Sequence, residues 1–217
     1  MKTIYITEQQ YKLLKEAQDE FFSLNELINI NSFKGRYQYC LEHLGKPQGR
    51  GSSRVVFQLS DEKILKLAFN QKGIEQNYAE YDGYLDDLGI VPHTYDMKDG
   101  IYIVSEFVLP AKEKDFKQCL GITWDEFVKF INTSWEFRCG NPKELGNYIY
   151  SQEKYVDMLE NNETLYAFDD YIGNYRPPKG DLVSLRNYGM TNRDGKPQIV
   201  LLDAGLTQQI WNNFYKR

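Results

Sequence analysis

The sequence contains few of the residues that mark disulfide-rich or zinc-binding proteins. It has three cysteines and two histidines in 217 residues. Cys40, Cys119 and Cys139 lie far apart without Cys-x-x-Cys spacing, which argues against a disulfide framework and a zinc site and predicts reduced, buried thiols. His43 and His93 have no histidine or cysteine at ligand spacing, so we expect surface or turn positions for both.

Long apolar runs and an excess of basic residues are also missing. No stretch approaches the ~20 apolar residues that a membrane-spanning helix needs, and the apolar start of the chain is too short for a signal peptide. The net charge of −5 disfavours a nucleic-acid surface, because binding phosphates needs clustered cations. We therefore expect a cytoplasmic protein that binds neither membranes nor nucleic acids.

Residues 1–44 are predicted to form an N-terminal appendage of a folded protein, since 41% of the chain is hydrophobic and 15% aromatic. The patterns predict a strand over 3–6, a helix that begins at the Thr-Glu-Gln-Gln capping box of residues 7–10, and a second helix over 33–44. The apolar face of the first helix consists of Tyr11, Leu14, Ala17 and Phe21.

Residues 45–108 carry period-two patterns that predict a small antiparallel sheet. Two strands, over 55–59 and 63–68, are joined by a tight turn into a hairpin. A helix is predicted over 73–88, followed by an Asp-Gly turn at 99–100 and an apolar strand over 101–108.

Residues 109–217 are predicted to be mainly helical. Helices are expected over 124–137, 151–159 and 163–175, then an irregular polar loop over 180–190, a turn over 192–195 and a strand from Ile199. The predicted fold class is α+β, with a small antiparallel-sheet lobe, a reduced helical lobe and a ligand cleft between the two.

Two features of the sheet region indicate anion binding. Gly49 and Gly51 precede a strand, where the backbone N–H groups of a flexible turn can approach a phosphate; an ordinary glycine turn is the alternative. Lys66 shares a strand face with Ile64 and Ala68, so an inward ammonium would need an anion. If the opposite face is buried instead, Lys66 is an ordinary solvated lysine.

Glu80, on the helix after this hairpin, is a candidate partner for the Lys66 ammonium. Glu75 and Asp82 compete for the same role, and a solvated helix face is the alternative.

Oxygen side chains near the end of the sequence indicate a magnesium site. Asn187 and Asp203 lie on either side of the 192–195 turn, so they can converge at the ends of neighbouring strands as hard ligands for Mg²⁺. Asp181 lies on a loop, where it can accept a proton from an attacking hydroxyl. For both aspartates the alternative is an ordinary turn residue.

The order of these features resembles the protein-kinase-like fold from about Leu44 to Leu206. The sequence has a glycine turn, a strand lysine, a helix glutamate, a loop Asp and Asn, and a strand that ends in Asp203-Ala204-Gly205. The segment over 101–108 looks like the fifth strand and hinge of a kinase, with Ser105 in the gatekeeper position.

The resemblance implies a site for ATP and Mg²⁺. Gly49, Gly51 and Val56 would cover the nucleotide, with Lys66 on its α- and β-phosphates and Glu80 paired with Lys66. The backbone from Glu106 to Val108 would bind adenine, and Asn187 and Asp203 would hold Mg²⁺. Asp181 would be the catalytic base, because Lys179-Gly180-Asp181 looks similar to the His-Gly-Asp of small-molecule kinases.

The sequence departs from the kinase pattern at several points. Arg54 stands at the third glycine of the loop, Lys179 replaces the histidine, and Ala204 replaces the phenylalanine of the Asp-Phe-Gly motif. Asn187 lies six residues after Asp181, one more than usual in protein kinases. After Leu206 the chain has neither an activation segment nor the helices that bind a peptide substrate.

Two functions follow as hypotheses. The first is a minimal kinase that binds Mg·ATP between two lobes and phosphorylates a protein or small molecule. Its compact size fits a phage- or mobile-element-encoded enzyme, which would act in the host cytoplasm. The second is a pseudokinase or interaction protein that keeps the fold without catalysis. A scaffold has no need for Lys66, Glu80, Asn187 and Asp203 together, whereas a nucleotide site does.

Overall fold

The fold is given by a computed structural model, which describes residues 7–9, 22–140, 146 and 149–216. It is α+β, as predicted. The predicted strand over 3–6 and the predicted apolar face from Tyr11 to Phe21 lie outside the described residues. In the part of the chain that is described, no helix has the length and apolar character needed to cross a bilayer.

Within residues 22–44, two helices precede the main sheet. Helix α1 covers Leu24–Asn29 and helix α2 covers Phe33–Leu44, the predicted range of the second helix. Each begins after a serine, Ser23 or Ser32, whose hydroxyl accepts a backbone N–H of the first turn. Gly45 ends α2 with a φ of 77°, a conformation that glycine adopts without a steric cost.

The main sheet has five antiparallel strands in the order β1-β2-β3-β5-β4. The strands are β1 Gly49–Arg50, β2 Arg54–Gln58, β3 Lys63–Ala68, β4 Thr94–Lys98 and β5 Tyr102–Glu106. The predicted hairpin of β2 and β3 is confirmed, and it pairs Val56 with Lys66. Strand β4 was not predicted, because it lies at the sheet edge and none of its residues is fully buried.

The single helix predicted over 73–88 is wrong. The structure has helix α3 over Gln71–Glu80 and helix α4 over Gly83–Asp87. Asp82 lies between them in an extended conformation and caps α4 by accepting a hydrogen bond from the backbone N–H of Tyr84. An aspartate that caps the next helix competes with continuation of the preceding one.

The rest of the described chain forms helices and a second sheet. The helices are α5 Glu113–Leu120, α6 Trp124–Cys139, α7 Gln152–Glu160, α8 Glu163–Tyr175, α9 Lys179–Leu182 and α10 Gln208–Phe214, with a 3₁₀ turn at Leu185–Asn187. The antiparallel second sheet consists of β6 Leu109–Pro110, β7 Tyr188–Arg193 and β8 Lys196–Leu201, in that order. The three predicted helices are confirmed, whereas the predicted irregular loop contains α9 and the start of β7.

The predicted Asp-Gly turns are confirmed. Asp99 and Gly100 precede β5, and Asp194 and Gly195 join β7 to β8. All four residues have a φ between 50° and 76°. Aspartate and glycine tolerate this left-handed conformation better than other residues do.

The buried apolar residues form two clusters. One cluster joins α1 and α2 to one face of the main sheet through residues such as Leu27, Cys40 and Leu65. The other joins α5 to α8 with the second sheet around an aromatic centre that includes Phe116 and Phe127. All three cysteines are free; Cys40 is buried as predicted, whereas Cys119 and Cys139 are partly exposed. Burial raises the pKa of the Cys40 thiol to about 12.

Candidate functional site

Four charged side chains meet where the main sheet and α3 face the end of β8. The ammonium of Lys66 and the carboxylate of Glu80 form an ion pair. Arg54 donates from one guanidinium nitrogen to the second oxygen of Glu80 at 2.6 Å, and from the other to Asp203. Arg54, Lys66 and Glu80 are only 6%, 4% and 3% exposed, so most of this charge is shielded from water.

The position of Lys66 follows from burial on both faces of β3. Leu65 and Leu67 point into the apolar cluster beneath α1 and α2, while Lys66 lies on the opposite face, which α3 covers. The alternative of a solvated lysine is therefore wrong. It assumed that the opposite face, with Leu65 and Leu67, is the buried one, and that face is indeed buried. Both faces of one strand are buried, and alternation alone does not show that.

Glu80 is charged despite its burial. Burial alone would raise the pKa of this carboxyl, but Arg54 and Lys66 outweigh it and hold the pKa below its ordinary value. The competing candidates have other roles: Glu75 accepts a hydrogen bond from the side chain of Gln71, and Asp82 caps α4.

Arg54 is a site residue whose contacts with the carboxylates were not predicted from the sequence. Burial disfavours its charged form, but Glu80 and Asp203 raise the pKa of the guanidinium above its ordinary value. The available signal was a charged residue in an apolar strand at the third glycine position. The partners of the Arg54 side chain depend on the position of α3, and the strand pattern does not reveal that position.

The segment from Leu202 to Gly205 is held against α3 and α8. The backbone oxygen of Leu202 accepts a hydrogen bond from Lys66 Nζ at 2.7 Å, and that of Ala204 accepts one from the Tyr171 hydroxyl at 3.0 Å. A Cβ atom on Gly205 would lie 2.4 Å from the backbone oxygen of Gln76. Gly205, the last residue of the Asp-Ala-Gly segment, is therefore required by the close approach of α3.

We expect Gly205→Ala to lower the free energy of unfolding by about 1–3 kcal/mol, since the added methyl collides with helix backbone rather than with a flexible side chain. Gly180→Ala is the control, because an added Cβ there meets nothing within 4 Å. Urea denaturation measures both, with a change within about 0.5 kcal/mol expected for the control. Equal effects of the two substitutions would contradict the close approach.

Asn187 and Asp203 lie at neighbouring strand ends, where the sequence predicts that their side chains converge. Asn187 precedes β7, Asp203 follows β8, and the flanking residues Tyr188 and Leu201 are paired in the second sheet. The Asn187 side chain donates to the backbone oxygen of Asp181 at 2.9 Å, which brings Asp181 to the same place.

Asp181 is half-buried and faces the charge of Asp203. Burial first, and then repulsion from Asp203, raise the pKa of the Asp181 carboxyl. A raised pKa is a property that favours proton acceptance at neutral pH. Lys179 anchors the start of this turn, because its ammonium lies 2.9 Å from Glu136 and over the ring of Trp135.

The predicted hinge residues lie at the end of β5 and in the two residues that join it to β6. Ser105 is buried and its hydroxyl donates to the backbone oxygen of His93 at 3.1 Å. The Glu106 carboxylate accepts hydrogen bonds from Thr191 and from Arg193, both on β7. Within the described residues, no backbone oxygen accepts a hydrogen bond from the N–H of Val108.

The predicted glycine turn folds as the connection between β1 and β2. Gly51 N–H donates to the backbone oxygen of Arg54 at 2.9 Å, and an added Cβ on Gly49 would meet nothing within 4 Å. The tip of the turn is held by α3, where Asn70 donates to the backbone oxygen of Ser52. Neither Gly49 nor Gly51 is required by close packing, in contrast to Gly205.

The chain has no significant match among protein-family models, curated proteins or solved structures. Among the described residues, there is also no group of three or more histidine, cysteine, aspartate or glutamate side chains that could hold a metal ion. The functional interpretation therefore depends on the geometry of the site itself.

Proposed function

We propose that this protein is a minimal kinase-like phosphotransferase that binds Mg·ATP between the five-stranded sheet and the helical part of the chain. The observation that supports the proposal is the convergence of the Lys66–Glu80 ion pair with Asp181, Asn187 and Asp203. These residues come from separate elements of the chain. The bilobal kinase-like arrangement is part of the same proposal.

The nucleotide would lie under the β1–β2 connection. In this arrangement Gly49, Gly51 and Val56 cover it, and the N–H of Val108 and the backbone of Glu106 bind the adenine edge. Ser105 closes the inner end of the adenine pocket with a small side chain. The Lys66 ammonium has three N–H groups, and two of them donate to Glu80 and Leu202. The third would donate to the α- and β-phosphates.

Asp203 and Asn187 would hold the Mg²⁺ that accompanies ATP. The Asp203 side chain is 52% exposed, and Arg54 contacts one of its two oxygens. The Asn187 nitrogen is held by Asp181, so its amide oxygen faces away from that contact. Magnesium commonly takes one or two protein oxygens and fills its other positions with water and phosphate, where it neutralises phosphate charge.

Asp181 would accept the proton of the attacking hydroxyl. Its raised pKa and its place beside Asn187 and Asp203 support this role. The phosphate acceptor would be a protein or a small molecule.

A pseudokinase or interaction protein is the second candidate, and Arg54 is the observation that favours it. Its guanidinium compensates the charges of Glu80 and Asp203 without any bound cation. A site whose charges are satisfied by the chain itself can be retained for its structure alone.

Thermal unfolding with ATP and Mg²⁺ separates the two candidates. We expect wild type to gain about 2.7 kcal/mol of stability when ligand is present at ~100 times its Kd. Lys66→Met should lose this gain. Lys63→Met is the matched control on the same strand, because Lys63 is exposed and stacks over Tyr95. A folded wild type that ignores millimolar Mg·ATP would contradict the proposal.

A further inference from the structure

Arg54 makes three contacts that the proposed nucleotide site does not use. One guanidinium nitrogen donates to Glu80 at 2.6 Å and to the side-chain oxygen of Asn77 at 3.1 Å, both on α3. The other nitrogen donates to Asp203, which follows β8. A single buried side chain of β2 thus connects α3 with the segment that carries the proposed metal ligand.

Lys66 completes a closed ring of contacts through the same residues. It binds the other oxygen of Glu80 and the backbone oxygen of Leu202, the neighbour of Asp203. The ring therefore passes from Lys66 to Glu80, Arg54 and Asp203, and returns along the backbone to Leu202. It joins β2, β3, α3 and the end of β8.

The charges in this ring balance, with two cations against two carboxylates. Three of the four side chains are nearly fully buried, and Asp203 is half-exposed. A buried charge that loses its partner is strongly unfavourable, so each member restrains the position of the next. Arg54 is the member that transfers this restraint from α3 to Asp203.

We propose that Arg54 is a positioning residue, which holds the Asp203 carboxylate and the Glu80 end of α3 in a fixed relation before any ligand binds. This inference deepens the proposed function and rests on it for its catalytic meaning. The structural part of the inference stands independently of nucleotide binding.

The structural part is tested on the ligand-free protein by amide hydrogen exchange of wild type, Arg54→Gln and Arg138→Gln. Arg138 is the matched control, because it also binds a buried carboxylate, Asp169, but between α6 and α8. We expect Arg54→Gln to accelerate exchange selectively in 71–80 and 202–207. Arg138→Gln should act on its own helices instead. Unchanged or uniformly raised exchange in Arg54→Gln would overturn the positioning role.

The functional part uses Arg54→Gly, which introduces the third glycine of the kinase loop pattern, and Arg54→Lys, which keeps the charge. A positioning role predicts that Arg54→Gly weakens Mg·ATP binding at least about tenfold and that Arg54→Lys recovers part of the loss. Tighter binding by Arg54→Gly would overturn the inference, because Arg54 would then be an obstruction.

The two proposals fail in different ways. If wild type binds no nucleotide while Arg54→Gln still loosens 71–80 and 202–207 selectively, the proposed function is wrong and the positioning role holds. If Arg54→Gln does not fold, exchange in Arg54→Lys decides instead. The single nitrogen of lysine cannot contact both carboxylates as the guanidinium does. Faster exchange than wild type in the same two segments therefore supports the positioning role, and wild-type exchange rates there contradict it.

Discussion

Glu80→Ala is expected to lower the free energy of unfolding by about 3–5 kcal/mol, because it leaves Arg54 and Lys66 buried without the carboxylate they share. Urea denaturation at neutral pH measures the change. Glu75→Ala is the control on the same helix, since Glu75 is partly exposed and accepts a single hydrogen bond from Gln71. We expect the control to change stability by no more than about 0.5 kcal/mol.

The pH dependence gives a second readout of the same prediction. Glu80 has a lowered pKa in the folded protein, so its ionised form stabilises the fold above its unfolded pKa of about 4.3. That contribution is lost as the pH falls through the lower, folded pKa. The stability difference between wild type and Glu80→Gln should therefore shrink in acid. If this stability difference stays constant from neutral to acidic pH, the ion pairs of Glu80 are not its cause.

Asp203→Asn is expected to abolish the magnesium dependence of nucleotide binding, because an amide cannot supply the anionic ligand. The ligand-free protein should lose less stability than Glu80→Ala does, because Arg54 still donates to Glu80 and Asn77 when the half-exposed Asp203 carboxylate is replaced. The substitution also removes the charge that repels Asp181. Melting curves with and without Mg·ATP, for wild type and variant, measure both effects.

Asp194→Asn is the matched control for this substitution. Asp194 is exposed in the turn between β7 and β8 and has a φ of 52°, which asparagine also tolerates. It should leave stability and the magnesium dependence of binding unchanged. If Asp203→Asn is destabilised but responds to Mg·ATP like wild type, the metal assignment is wrong and Asp203 is a structural turn residue.

Local patterns were sufficient for the elements whose causes are local. The hairpin of β2 and β3, helix α2 and the Asp-Gly turns follow from alternation, caps and turn chemistry within a few residues. The break between α3 and α4 was missed because Asp82 fits either a helix surface or a cap. In the structure Asp82 is the cap, and it also accepts a hydrogen bond from Tyr175 at 2.6 Å, where α4 packs against α8.

From the sequence alone came the candidates: a lysine in a strand, a glutamate in the next helix, and the aspartate of an Asp-Ala-Gly segment. For each of them a solvated or turn position stayed open as the alternative. It took the folded arrangement to show that Arg54 joins them, that Gly205 must be small, and that Asp181 faces Asp203. Each of these depends on the distance between elements that are far apart in the chain. Strand alternation and helix period describe one element at a time, whereas a buried charge is stable only where several elements bring its partners together.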